Sequence, residues 1–190
     1  MKKKLFSQFA LVLTAALLFS TVSYASSTKD IPVGGSGQIE MMGTIEPTIL
    51  SVTMPTFVPF SISNSLSTQN KVISPRIAMK NNSNVPVRVD VTYTKVDLSK
   101  LNNVSWSDTG TVNSKQIAIG LKQEETKDQM PESLSQARWL KANVKQDMNV
   151  LALSANQEGA LYVVGTLGQD VSENGTFTVT PTFVVSRTSE

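Results

Sequence analysis

The chain has no cysteine and no histidine in 190 residues, and each absence removes whole classes of chemistry. Without thiols there is no disulfide scaffold, no cysteine nucleophile and no thiolate zinc site. Without imidazole there is no Ser-His-Asp triad, no HExxH zinc site and no side-chain acid or base titrating near neutral pH. Aromatic residues make up only 6% of the chain, so candidate stacking platforms can be named one by one. Charge is nearly balanced, with 17 Lys and Arg against 15 Asp and Glu, which leaves no extended footprint for nucleic acid or anionic lipid.

What survives is chemistry run by carboxylates, or by a serine with a lysine as its base. Neither assembles from the residues present. Ser26-Ser27-Thr28-Lys29 has the Ser-x-x-Lys spacing but lies in a small polar segment and has no Lys-Thr-Gly partner. Gly34-Gly35-Ser36-Gly37 reads as a flexible hinge rather than a nucleophile elbow. Glu124, Glu125, Asp128 and Glu132 interleave with Lys122 and Lys127 and read as a solvated loop face. The expectation is a protein that is not an enzyme and uses no cofactor or metal.

Long hydrophobic runs are also scarce, and the one present sits at the start. Lys2, Lys3 and Lys4 lead into an apolar stretch, Leu5 to Phe19, that closes on Ser23-Tyr24-Ala25. A basic region, a short hydrophobic region and small residues at a cut site are the features of an export signal. Ser7, Gln8 and Thr14 interrupt the stretch, which falls short of the ~20 residues of a spanning helix. Residues 1–25 are therefore expected to be a signal peptide, with the mature chain beginning at Ser26. Their removal changes the formal charge from +2 to −1. The expected product is extracellular, secreted or held at the cell wall, with no membrane span and no nucleic-acid partner.

Beyond the leader, period-two patterning dominates. Val85, Val87, Val89, Val91 and Tyr93 alternate with mostly polar residues, the signature of a strand with one face on a core. Asn81-Asn82-Ser83-Asn84 before it supplies turn chemistry. The alternation returns in Phe177, Val179, Pro181, Phe183 and Val185, and Pro181 places that strand at an edge or a bulge. Shorter β-rich runs cover 38–45, 49–54, 57–62, 72–79, 116–121, 149–153 and 159–167, which makes about nine strands. Pro131 to Arg138 reads as a short helix in a connection, with Pro at a permitted first-turn position. The fold class expected is all-β: a single antiparallel, Greek-key-like β-sandwich over residues 38–190, preceded by a flexible arm at 26–37.

Two features bear on binding. Trp106, Trp139, Tyr93 and Tyr162 are the aromatic candidates for a sugar platform; core packing is the competing role for each. Trp106, among Asn102, Asn103, Ser105, Ser107 and Asp108, is expected in an exposed loop. The other feature is the arm: Ile31 and Val33 precede the Gly-rich hinge, and Ile39 and Met41 follow it. A strand of this kind can fill the sheet edge of a neighbouring copy, and head-to-tail repetition makes a fibre.

The phrases Ile45-Glu46-Pro47-Thr48-Ile49, Met54 to Phe60, Asn81 to Val87 and Gly175 to Val179 resemble exported β-sandwich surface proteins of Gram-positive bacteria. The order of elements is similar to WxL-type cell-wall proteins and more loosely to the TasA and camelysin group of fibre subunits. The resemblance implies a surface location, a sandwich fold and, for the WxL type, a wall-binding role. Trp106 and Trp139 are followed by Ser107-Asp108 and Leu140-Lys141 rather than by the Trp-x-Leu pattern, so no functional residue carries over. The resulting expectation is a secreted or surface structural protein that binds other surface proteins or copies of itself through its arm. The alternative is a cell-wall or carbohydrate-binding module that uses loop aromatics, Trp106 first.

Overall fold

Alternating and continuous apolar runs sort the strands into two sheets with different surroundings. The computed structural model describes residues 48–63, 70–171 and 175–188. The expected signal peptide, arm and first strand, with Ile31, Val33, Ile39 and Met41, lie outside the described residues. Within them the chain is all-β. Its strands are β1 (Val52–Thr53), β2 (Ser61–Ile62), β3 (Val72–Ile73), β4 (Ile77–Asn81), β5 (Val87–Asp97), β6 (Ser105–Trp106), β7 (Gln116–Gln123), β8 (Arg138–Trp139), β9 (Lys145–Leu153), β10 (Glu158–Leu167) and β11 (Thr178–Arg187).

The larger sheet runs β1-β4-β10-β7-β6, with β8 also paired to β7. The smaller sheet runs β11-β5-β9, and β2 and β3 form a separate pair. From β4 onward the chain passes repeatedly between the two large sheets, since β4, β7 and β10 belong to one and β5, β9 and β11 to the other. Both contribute to one hydrophobic cluster. Met79, Ile117, Ile119, Leu121, Leu161 and Val163 come from the larger sheet; Val87, Val89, Val91, Val150, Leu151 and Leu153 come from the smaller.

Several expectations needed correction. No helix forms at 131–138 or elsewhere among the described residues. Instead the amide of Ala137 bonds to the carbonyl of Leu134 at 3.1 Å and Gln136 takes φ 61°, so the segment makes a tight turn leading into β8. Pro at a first turn permits a helix but does not drive one, and nothing here supplies the apolar spacing to bury a helical face. The sheet is not wholly antiparallel, because β6 runs parallel to β7. The stretch 72–79 is two strands rather than one. Ser74-Pro75 breaks it, since Pro75 cannot donate to a ladder.

Side chains close the gap left by that break. Asn70 Oδ1 accepts from the amide of Gly165 at 3.1 Å, and Ser74 Oγ accepts from the amide of Val163 at 3.1 Å. Two buried donors of β10 are thereby satisfied where no strand lies opposite. Gly165 is required at this crowded point, because a Cβ there would stand 2.6 Å from the carbonyl oxygen of Ala118.

The turn before β5 forms as expected. Asn81 is fully buried; its Oδ1 accepts from the amide of Ser83 at 2.9 Å, and its Nδ2 donates to the carbonyls of Val85 and Ser154, both at 2.9 Å. β5 then changes parity part-way along. Its pairing with β11 and with β9 shifts register between Val91 and Tyr93, which turns Tyr93 outward and buries Thr94 completely. Pro181 lies on β11, an edge strand whose register shifts just beyond it, between Thr182 and Phe183.

Candidate functional site

The face of the larger sheet turned away from the shared core is built from Ala118, Gly120 and Lys122 of β7 and Ala160, Tyr162, Val164 and Thr166 of β10, residues of one parity on paired strands. The small side chains let other segments approach closely. Residues 124–137, between β7 and β8, run as a strap tied down at both ends and in the middle. Arg76 holds its start: Nε and Nη2 reach the two carboxylate oxygens of Glu124 at 2.7 and 2.9 Å, and Nη1 reaches Glu158 at 2.8 Å. Asn70 Nδ2 donates to the carbonyl of Pro131 at 3.2 Å. Lys122, only 2% exposed, donates from Nζ to the carbonyl of Ser133 at 2.9 Å and pairs with Glu125 at 2.9 Å.

Glu124 is thus no part of a solvated face. The Arg76 bonds hold its carboxyl below the ordinary glutamate range, and the same bonds keep the guanidinium charged. Tyr162 is buried nearby, and desolvation, with the Glu124 charge second, pushes its phenol above the ordinary tyrosine value. Sequence patterning missed this network because its members come from four separate stretches of chain. The visible signals were the break at Ser74-Pro75 and a lysine, Lys122, continuing an apolar run.

The two indoles have different fates. Trp106, expected in an exposed loop, lies in β6, packs partly buried against the core and donates from Nε1 to the carbonyl of Leu140 at 3.0 Å. Together β6 and β8 occupy the outer edge of β7, one at Gln116–Ile117 and the other at Gly120–Leu121, and the Trp106 bond joins them. Trp139 lies on β8, half-buried. A Cβ at Gly120 would stand 3.2 Å from its ring, and one at Gly110 would collide with it. Two glycines therefore permit the indole to sit where it does.

Two clefts border these loops. One, of about 230 Å³, has Lys122, Glu124, Glu125, Arg138 and Asn149 among its lining residues. The other, of about 530 Å³, is lined by Gly110, Ser133, Leu134, Ser135, Trp139 and Thr166. Among the described residues, no group of three or more carboxylates is placed to hold a metal ion. No helix among them is long and apolar enough to cross a membrane, which says nothing of a β-barrel.

The smaller sheet presents a different feature. β11 pairs with β5 along one edge, and among the described residues nothing pairs with its other edge. Its inward residues Val179, Phe183 and Val185 are only half-buried, whereas Val150, Leu151 and Leu153 on β9, the opposite edge strand, are buried.

No family model, curated protein or solved structure matches the chain.

Proposed function

We propose that this is an exported surface protein, a Greek-key-like β-sandwich that works by binding other surface proteins or further copies of itself. The sandwich reading is supported by the core shared between the two sheets and by a chain that crosses between them. Export rests on the leader sequence, Lys2 to Ala25. The observation that supports the binding role is β11, a ten-residue strand whose outer edge pairs with nothing among the described residues and whose inward apolar residues are only partly covered. A strand laid along it would satisfy the free backbone groups and cover Val179, Phe183 and Val185. The arm offers Ile31 and Val33 for that purpose, with Ile39 and Met41 continuing beyond the hinge, and head-to-tail repetition would build a fibre.

The test compares the mature chain from Ser26 with a chain beginning at Gln38, by size-exclusion chromatography and negative-stain microscopy. The longer chain is expected to form higher oligomers or filaments and the shorter one to remain monomeric. If both stay monomeric over a wide concentration range, self-assembly through the arm is wrong.

A further inference from the structure

We propose that the 530 Å³ cleft beside Trp139 is a binding site for a neutral saccharide ring. The cleft is open, with a volume of about 530 Å³, and suits a ring laid along one wall rather than an enclosed ligand. None of the six lining residues is charged, although charged residues make up 17% of the chain, so neither an anionic polymer nor a cationic peptide finds a complementary charge there. Hydroxyls supply the polar groups instead. Ser133 Oγ donates to Ser135 Oγ at 3.1 Å, and Thr166 Oγ1 donates to the carbonyl of Gly110 at 2.9 Å. Each oxygen retains unused acceptor capacity, and Ser135 retains its own proton to donate.

The indole completes the set. The Trp139 side chain makes no hydrogen bond among the described residues, and no fully buried side-chain nitrogen is left without a partner, so its N–H keeps some contact with solvent beside Gly110. Leu134 and the uncovered part of the ring give an apolar wall for the C–H face of a pyranose. The indole N–H and the hydroxyls give short-range partners for its ring oxygens and hydroxyls. Trp106 lacks these properties, because its N–H is already bonded to Leu140 and its ring packs on the core. The walls are held independently of β11: Lys122 fixes the backbone at Ser133, and Thr166 fixes the backbone at Gly110.

The experiment uses the mature chain with maltose, cellobiose and N,N′-diacetylchitobiose, each followed by tryptophan emission and by saturation-transfer NMR on the sugar. At least one disaccharide is expected to bind saturably at millimolar concentration, shifting the emission of the wild type and of Trp106→Phe equally. Trp139→Phe, which keeps a ring but removes the N–H, should weaken binding about fivefold, the loss of one hydrogen bond. Ser135→Arg, at an exposed position, should fill the cleft and abolish binding while leaving the thermal unfolding midpoint unchanged. The proposal is overturned if no sugar binds up to about 10 mM, if binding survives Ser135→Arg, or if it depends on Trp106 instead.

Discussion

The two large sheets share one core but treat their outer faces in opposite ways. On the larger sheet, β7 and β10 are buried on both sides, and the outer edge of β7 is closed by β6 and β8. On the smaller sheet, Thr178, Thr180, Thr182 and Val184 of β11 are exposed, and among the described residues no strand pairs with its outer edge. The difference follows from composition. Ile117-Ala118-Ile119-Gly120-Leu121 and Ala160-Leu161-Tyr162-Val163-Val164 are continuous apolar runs, which must be covered twice. Thr178-Val179-Thr180 and its continuation alternate and need one cover only. The chain commits residues 124–140 to covering and edging the first sheet, and among the described residues no segment does the same for the second.

The largest expected effect tests whether the sheets share a core at all. Leu151→Ala, on the smaller sheet but packed in the common cluster, should cost about 3 kcal/mol. Urea unfolding followed by tryptophan emission and by far-ultraviolet circular dichroism should remain one transition. Separate transitions would mean that the two sheets unfold independently.

A smaller effect separates the covered face from the bare one. Arg76→Ala releases the start of the strap and leaves Glu124 half-buried without its partner, at a cost of about 1–2 kcal/mol. Amide exchange should accelerate across 124–137 and stay unchanged along β11; uniform acceleration would show that the strap is not a separable cover. Acid acts on the same bond. Because the folded state holds the Glu124 carboxyl below its ordinary value of 4.5, the stabilisation is complete above that pH. It disappears as pH falls through the lower, folded-state value. Strap exchange in the wild type should therefore rise below about pH 4.5, and Arg76→Ala should blunt that rise.

The smallest effect is expected on the bare face. Val184→Thr, at a residue 44% exposed, should change stability by less than about 0.5 kcal/mol by urea titration. A loss above 1 kcal/mol would mean that this face is covered after all, and the contrast between the sheets would fail.

Much of the architecture was legible in the chain because strands announce themselves by period. The runs at 85–93, 116–121, 159–167 and 177–185 all contain observed strands, and Pro181 by itself marks an edge or a bulge. β6 and β8 are two-residue strands that lie outside every alternating or β-rich run, so no period marks them, and its polar neighbours make Trp106 read as a loop residue. Tyr93 followed the parity of its strand only as far as the bulge at Thr92, and a bulge is decided by neighbouring strands. Pro131 allowed a helix that had no apolar face to bury, and the segment became a strap because Asn70 and Lys122 bind its backbone.

By itself, then, the sequence determined most of the strand content, the absence of thiol and imidazole side chains and the turn at Asn81. These depend on residue type and on spacing along a few neighbouring positions. Only the tertiary structure decided which sheet face residues 124–137 cover and which strands lie at the sheet edges among the described residues. It also decided which tryptophan lends its N–H to the fold and which keeps it free. Each of those outcomes depends on contacts between segments tens of residues apart, such as Asn70 with Gly165 or Trp106 with Leu140, and local patterning carries no information about such pairings.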